Sequence, residues 1–155
     1  VIARVHGLAT AAGCQLVAQS DIAVCSDNAM FATSGVNLGL FCSTPSVAVS
    51  RNVPRKIAAE MLFTGDFIDA NYAKQIGLIN HVVSKDNLDD KINEIAKKIT
   101  AKPFKTISLG KEVFYKQYLD NLQSAYDIAA KKMACNMMYQ ETIDKINDFL
   151  NKKNS

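Results

Sequence analysis

The stretch of the chain best suited to chemistry runs from Gly7 to Ala18 and reads GLATAAGCQLVA. Its small residues open directly into an apolar helical pattern. The first N–H groups of a helix lack backbone partners, and together with the helix dipole they attract negative charge. Small side chains also let a ligand atom approach the backbone. The stretch therefore suits an oxyanion hole, where N–H groups stabilise the charged oxygen of an enolate or a tetrahedral intermediate. Close packing of a helix on a strand also selects Ala and Gly, and on these residues alone packing is the favoured explanation.

The elements around this stretch alternate between strands and helices. Short runs rich in β-branched and apolar residues predict strands over residues 1–5, 21–26, 29–33 and 78–83. Helical periodicity predicts helices over residues 12–19 and 55–65, the second ended by Gly65. Another helix is predicted to start at Pro45, with Thr44 as its N-cap. A fourth is predicted between the cap Asp69 and the helix-ending Gly77.

The rest of the chain is predicted to be helical. Leu88, Ile92, Ile95 and Ile99 lie on one helical face, and a second helix is expected near 105–117. A single long helix is expected over about 119–151, with an apolar stripe of Leu122, Ala125, Ala129, Met133, Met137, Ile143, Ile146 and Leu150. The predicted fold class is therefore α/β over residues 1–100, followed by a helical segment over residues 101–155.

Composition excludes several classes of protein. The chain has 155 residues, 48% of them hydrophobic, which suits one domain with a real core. Its formal net charge of +3 is too small and too dispersed to argue for nucleic acid. No apolar run reaches the roughly 18 residues that a membrane span needs. Residues 1–53 carry only four charged side chains, which indicates an interior part of a fold.

The cysteines favour free thiols over disulfides or a metal site. Cys14, Cys25, Cys42 and Cys135 show no CxxC spacing, and each lies in an apolar or small-residue setting. We expect all four to be buried and reduced.

Longer motifs carry a family resemblance. The segments VIARVHGLATAAGCQLVAQSDIAVCSDNAMFATSGVNLGLF, EMLFTGDFIDANYAKQIGLINHVV and ETIDKINDFLNKK, in this order, resemble the enoyl-CoA hydratase/isomerase (crotonase) family over nearly the whole chain. The resemblance implies a spiral of ββα units with a helical trimerisation segment. It further implies an acyl-CoA thioester as ligand or substrate, no separate cofactor or metal, a homotrimer or hexamer, and a role in mitochondrial fatty-acid metabolism.

The same resemblance implies that the chain corresponds to the second half of the family's domain. The first half would carry a second oxyanion-hole N–H and much of the pocket for adenine and pantetheine. We expect the chain to be a fragment or a truncated gene model that exposes strand edges and apolar surface when alone.

Site residues follow from the resemblance one by one. The oxyanion-hole N–H falls on Ala12, with Ala11 and Gly13 beside it, and Ala12 is acceptable there if its φ is negative. The two glutamates with which family hydratases transfer protons fall on Gln15 and Gly35, neither of which ionises. In the last helix, Phe149 and Lys152 match positions that in hexameric relatives reach the CoA of a neighbouring subunit, the alternative being an exposed helix end.

Other polar residues are weaker candidates. His6 precedes the small-residue loop but is expected to be structural, at a position often filled by asparagine in the family. Asp21 is expected to hydrogen-bond or cap, Ser43 and Thr44 to cap a helix, and Cys42 lacks an evident base.

Three hypotheses of function remain open. The first is an acyl-CoA enzyme with weak or altered chemistry, for which decarboxylation or thioester hydrolysis fits better than hydration. The second is a non-catalytic acyl-CoA-binding or regulatory protein. The third is a structural subunit that assembles through its C-terminal helices. Gln15 and Gly35 argue against standard hydration, whereas Ala12 favours ligand binding over a purely structural role.

Overall fold

The computed structural model of the chain describes the backbone of residues 1–152 and the side chains of residues 1–151. The chain forms two compact units, Val1–Ile95 and a second unit that begins at Ala96. The predicted division at residue 100, between a spiral core and an oligomerisation segment, stays a prediction.

Two small sheets form the centre of the first unit. The strands are β1 (Ile2–Val5), β2 (Leu8–Thr10), β3 (Ile22–Ser26), β4 (Met30–Ala32), β5 (Ile68–Asp69) and β6 (His81–Val83). One sheet has the order β1-β3-β6 with parallel pairing throughout, and Ile2 lies opposite Ile22. The other has the order β2-β4-β5, in which β2 and β4 are parallel and β5 is antiparallel to β4.

Helices connect and cover these strands. They are α1 (Ala12–Gln19), α2 (Ser43–Asn52), α3 (Arg55–Thr64), α4 (Ala70–Gln75) and α5 (Leu88–Thr100). The end of α3 and the start of α4 agree with the helix-ending and capping residues predicted from the sequence. Gly65 closes α3 in the left-handed conformation, and the Asp69 carboxylate accepts a hydrogen bond from the backbone N–H of Tyr72 at 2.8 Å.

Small and branched apolar side chains fill the space between the helices and the sheets. The fully buried members are Cys14, Cys25, Ala29, Phe31, Val49, Ala70 and Ala73. Because five of these seven side chains are Ala or Cys, α1, α2 and α4 approach the strands closely. The apolar and nearly uncharged first third of the sequence is accounted for by this core.

The second unit is helical. After the last residues of α5 it contains α6 (Phe104–Gln117), α7 (Leu122–Met137) and α8 (Gln140–Lys152). Lys132 Nζ on α7 donates to Glu112 Oε2 on α6 at 2.8 Å, and Asn136 Nδ2 donates to Thr142 Oγ1 at 3.0 Å. Within the part of the chain that the structure describes, no helix is both long and apolar enough to cross a membrane.

Several expectations from the sequence are wrong in detail. The predicted helix over 119–151 is two helices, α7 and α8, separated by a turn at Met138 and Tyr139. Residues 8–10, which lie between the predicted strand over 1–5 and the predicted helix over 12–19, form β2. In the predicted strand over 78–83, only the last three residues are extended. Thr44 is not an N-cap, because α2 begins one residue earlier, at Ser43.

The cysteines are free, as expected, but one of them is not buried. Cys14, Cys25 and Cys42 are buried, whereas Cys135 is exposed on α7. The Cys135 thiol donates to the Tyr139 hydroxyl at 3.8 Å, and it lines an open cavity with Ser108 and Leu109 of α6.

Candidate active site

The entry into α1 is the most strained backbone in the described residues. Ala11 has φ 45° and ψ −112°, and no other described non-glycine residue has positive φ. Two hydrogen bonds hold it there. Its N–H donates to the Ala32 carbonyl at 3.0 Å, and its own carbonyl accepts from the Gln15 N–H at 3.0 Å. Such a conformation costs about 1–3 kcal/mol and persists where the surrounding structure enforces it, which occurs most often at functional sites.

Ala12 follows this strained residue as the first residue of α1. Its φ is negative, so alanine meets no backbone penalty at this position. Ala12 is exposed, and no acceptor among the described residues binds its N–H. Gly13 adds little bulk, since a Cβ there would meet only the Ala9 Cβ at 3.9 Å. The backbone therefore presents a donor at the positive end of a helix.

The strand pairing brings the two predicted proton-transfer positions to the same region. Thr10 at the end of β2 lies opposite Ala32 at the end of β4, so the residues that follow both strands emerge side by side. Gln15, half-buried, lies three residues after Ala12 and shares its helix face. Gly35 lies three residues after Ala32, in a 3-10 turn over Ser34–Leu38.

Gly35 is enclosed by its own loop. A Cβ at this position would lie 2.5 Å from the Leu40 carbonyl oxygen and 2.9 Å from the Cys42 Sγ. The Leu40 N–H donates to the Gly35 carbonyl at 3.0 Å, which ties the two segments together. Gly35 does not have a positive φ, which among the described glycines occurs at Gly39, Gly65 and Gly77. Packing, rather than backbone conformation, selects glycine here.

Two buried thiols belong to the core of the first unit. Burial, and secondarily the nearby Cys42, raises the pKa of Cys14 on α1 to about 11. Burial, and secondarily Asp27, raises the pKa of Cys25 on β3 to about 11. Both are thiols rather than thiolates at neutral pH, so neither is an activated nucleophile.

The weaker candidates lie elsewhere or act structurally. His6 is exposed between β1 and β2. Asp21 forms an ion pair with the amino group of Val1, at the opposite end of α1 from Ala12 and about 12 Å away along the helix. Ser43 is the first residue of α2, and its hydroxyl donates to the Phe41 carbonyl at 3.4 Å, so the capping role expected of it is replaced by a turn contact.

The two residues predicted to reach a neighbouring subunit's CoA belong to α8. Phe149 is exposed and lines a cavity of about 300 Å³ with Ile146 and Lys145. Lys152 is the last residue of α8, and its side chain lies outside the described residues. Both roles stay predictions.

Sequence reasoning missed two features of the site. One is the strain at Ala11, which an Ala-Ala-Gly run does not signal because alanine usually avoids positive φ. The other is the group of atoms around Gly35, since the approach of Leu40 and Cys42 depends on the loop that returns to it. Among the described residues, no group of three or more His, Cys, Asp or Glu side chains could hold a metal ion.

The enoyl-CoA hydratase/isomerase family model matches residues 1–154, and the chain belongs to this family.

The curated relatives that match nearly the whole chain include two mammalian proteins of the same name. The chain is 51% identical to the mitochondrial enoyl-CoA hydratase domain-containing protein 3 of Mus musculus, over 99% of this chain and 51% of the relative. It is 50% identical to the Homo sapiens protein of the same name, over 99% of this chain and 50% of the relative. The chain thus spans about half the length of the curated relatives it matches.

Solved structures show the same fold. An enoyl-CoA hydratase from Mycobacterium smegmatis matches with a TM-score of 0.96 and 55% identity, over 98% of this chain and 59% of that one. The human enoyl-CoA hydratase domain-containing protein 3 matches with a TM-score of 0.94 and 51% identity, over 98% and 60%. The predicted α/β spiral with a helical C-terminal segment is confirmed.

Proposed function

We propose that the chain forms the acyl-CoA-binding half-site of a crotonase-family protein, with the thioester oxygen held by the Ala12 N–H. The observation that carries the proposal is the entry into α1. Ala11 is held in a strained conformation by two hydrogen bonds; the next residue, Ala12, is exposed, and its N–H has no acceptor among the described residues. An N–H fixed in this way requires no reorganisation as charge develops on a thioester oxygen.

Efficient two-carboxylate hydration is not part of the proposal. Adding water to an enoyl thioester requires a base for the water and an acid for the α-carbon. Gln15 can position a water molecule but cannot accept its proton as a carboxylate would. Gly35 has no side chain, and the Leu40 carbonyl fills the space beside it. Each missing acid or base typically costs ~10²–10⁴-fold in rate.

The closed surroundings of Gly35 favour one alternative, which is binding without catalysis. A ligand held at the Ala12 N–H would then act as a signal or a stored group. If the protein is catalytic, the same site suits decarboxylation or thioester hydrolysis. In the first reaction the oxyanion donor stabilises the enolate oxygen, and in the second it stabilises the tetrahedral oxygen. Turnover of a malonyl-type thioester would separate the two.

The proposed location and metabolic role are taken from the family and from the names of the relatives. Several are named as mitochondrial proteins, and we propose the mitochondrion and fatty-acid metabolism for this protein. We also propose a homotrimer or hexamer that assembles through the C-terminal helices, with no cofactor beyond the acyl-CoA itself. Leu122, Met133 and Ile146 are among many large apolar side chains exposed in the second unit, which supports assembly.

The test compares two substitutions at Ala12 in the natural protein that carries this chain. Ala12→Pro removes the N–H at a first helical position, where proline is accepted, and Ala12→Gly keeps the N–H. Calorimetry with an enolate-mimicking CoA and with free CoA gives the affinities. We expect Ala12→Pro to weaken the mimic at least tenfold more than free CoA, and Ala12→Gly to weaken neither. Equal loss for both ligands would reject the oxyanion role.

A further inference from the structure

Cys135 differs from the other cysteines because its side chain is open to solvent. Cys14, Cys25 and Cys42 are buried, whereas Cys135 is exposed on α7. Burial also raises the pKa of Cys14 and of Cys25 to about 11, which keeps both thiols protonated and unreactive at neutral pH. Of the four cysteines, Cys135 alone presents its thiol to a reagent in solution.

A lysine lies beside this exposed thiol. Lys132 precedes Cys135 by three residues on α7, a spacing that places two side chains on the same helix face with Cβ atoms about 5–6 Å apart. Both residues line an open cavity of about 370 Å³, and Lys131 does not. The lysine side chain is long enough to bring its amine to a group carried by the Cys135 sulfur.

The other walls of this cavity suit an acyl-CoA thioester. Phe104 and Leu109 supply apolar surface, and Lys105 adds a positive charge. Lys132 Nζ donates to Glu112 Oε2 at 2.8 Å, so these two charges balance and the charge of Lys105 remains. An acyl-CoA has an apolar acyl group and negatively charged phosphates, and both features are complementary to such walls.

We propose that Cys135 and Lys132 form an acyl-acceptor pair, at which an acyl-CoA thioester modifies the protein without a separate enzyme. In the first step the Cys135 sulfur attacks the thioester carbonyl carbon. A bond to the Cys135 sulfur replaces the bond to the CoA sulfur, and CoA leaves as a thiol with the proton that Cys135 has lost.

In the second step the neutral amine of Lys132 attacks the same carbonyl carbon. A C–N bond replaces the C–S bond, and a proton passes from the nitrogen to the released Cys135 sulfur. The products are free CoA, an amide at Lys132 and a regenerated thiol, so neither an oxidant nor a reductant is needed. No residue of the proposed oxyanion site at Ala12 takes part.

The ion pair with Glu112 makes the thiol the first acceptor. The hydrogen bond with Glu112 raises the pKa of Lys132, and the nearby Cys135 raises it further. The amine is therefore mostly protonated, and only the neutral amine attacks a thioester. Transfer from Cys135 overcomes this disadvantage because an attack within one molecule has a far higher effective concentration than an attack on a thioester in solution.

The test exposes the natural protein that carries this chain to butyryl-CoA at mildly alkaline pH, and peptide mass spectrometry locates the acyl groups. Hydroxylamine removes thioesters and leaves amides, which separates the two products. We expect the amide at Lys132 to form about tenfold faster than the amide at Lys145, an exposed lysine of α8 with no cysteine within four residues. The buried Cys14, Cys25 and Cys42 should stay unmodified.

Three variants separate the two steps. Cys135→Ser should remove the tenfold advantage of Lys132, and Cys135→Ala should give the same loss. Lys132→Arg keeps a positive charge beside Glu112, and the thioester on Cys135 should then accumulate. Glu112→Gln should speed amide formation at Lys132 without changing thioester formation, because it removes the charge that raises the Lys132 pKa.

Several results would overturn the proposal, once circular dichroism has shown that each variant keeps the fold. They are unchanged acylation of Lys132 in Cys135→Ser and Cys135→Ala, amides that form mainly at Lys131, a thioester on Cys135 that never transfers, and a reaction at Lys132 no faster than at Lys145.

Discussion

Replacing Gly35 with alanine is expected to destabilise the protein although it adds only one methyl group. The new Cβ would lie 2.5 Å from the Leu40 carbonyl oxygen, about 1 Å closer than ordinary van der Waals contact. The Cys42 Sγ, at 2.9 Å from the same Cβ, can rotate away, but the carbonyl is backbone. It is also fixed by the hydrogen bond from the Leu40 N–H to the Gly35 carbonyl. Overpacking of this kind typically costs about 1–3 kcal/mol.

Urea unfolding of the natural protein, followed by circular dichroism, measures this cost. The matched control is Gly110→Ala in α6, where a Cβ meets nothing within 4 Å and φ is not positive. That change should stabilise the protein by about 0.5–1 kcal/mol, since alanine is the better helix former. Adding Cys42→Ala to Gly35→Ala should recover only part of the loss. A Gly35→Ala protein as stable as the wild type would refute the argument from packing.

The same geometry revises an expectation from sequence about restoring activity. With glutamates at positions 15 and 35, both proton transfers of hydration would have a carboxylate, and partial recovery is what the sequence alone predicts. In the structure, the Gly35→Glu stem has no room beside Leu40, so the loop must move before the carboxylate reaches a substrate. Gln15→Glu alone meets no such obstacle. The double variant should therefore be no faster than Gln15→Glu.

Three further measurements test other parts of the account. Ala11→Gly should raise the free energy of unfolding by about 1 kcal/mol, since glycine adopts φ 45° without strain, and an unchanged urea midpoint would argue against that strain. Stability should fall as the pH rises from 9 towards 11, because the folded chain keeps the Cys14 and Cys25 protons that the unfolded chain releases near pH 9, and Cys14→Ala should make this fall shallower. Analytical ultracentrifugation at micromolar concentration should show a trimer or hexamer, a result that a monomer would contradict.

Local patterns predicted most elements of the first unit because capping and helix-ending residues mark where the elements begin and end. Gly65 ends α3, and Asp69 caps α4, and both signals act within one turn of the chain. The run Ile22–Ser26 forms the parallel strand β3, whose last four residues are buried, and such a strand has a nearly continuous apolar sequence. The position of Ala12 at the start of α1 was equally readable, since small residues open directly into an apolar helical face.

Features that depend on distant partners were not predictable. The strand β2 is only three residues long, and its extended conformation comes from pairing with β4 rather than from its own propensity. The turn between α7 and α8 has no Gly or Pro to signal it, and the hydrogen bond from Asn136 to Thr142 spans it. The exposure of Cys135 likewise depends on which helix face the rest of its unit covers.

Hydration of crotonyl-CoA by the unmodified natural protein tests the central claim most directly. The claim is that an oxyanion donor at Ala12 remains while both proton-transfer side chains, at Gln15 and Gly35, are absent. Loss of the enoyl thioester absorbance reports the rate. The account predicts hydration close to the uncatalysed background, at a protein concentration that binds an enolate-mimicking CoA. Fast hydration would contradict it, and would mean that another residue performs the proton transfers.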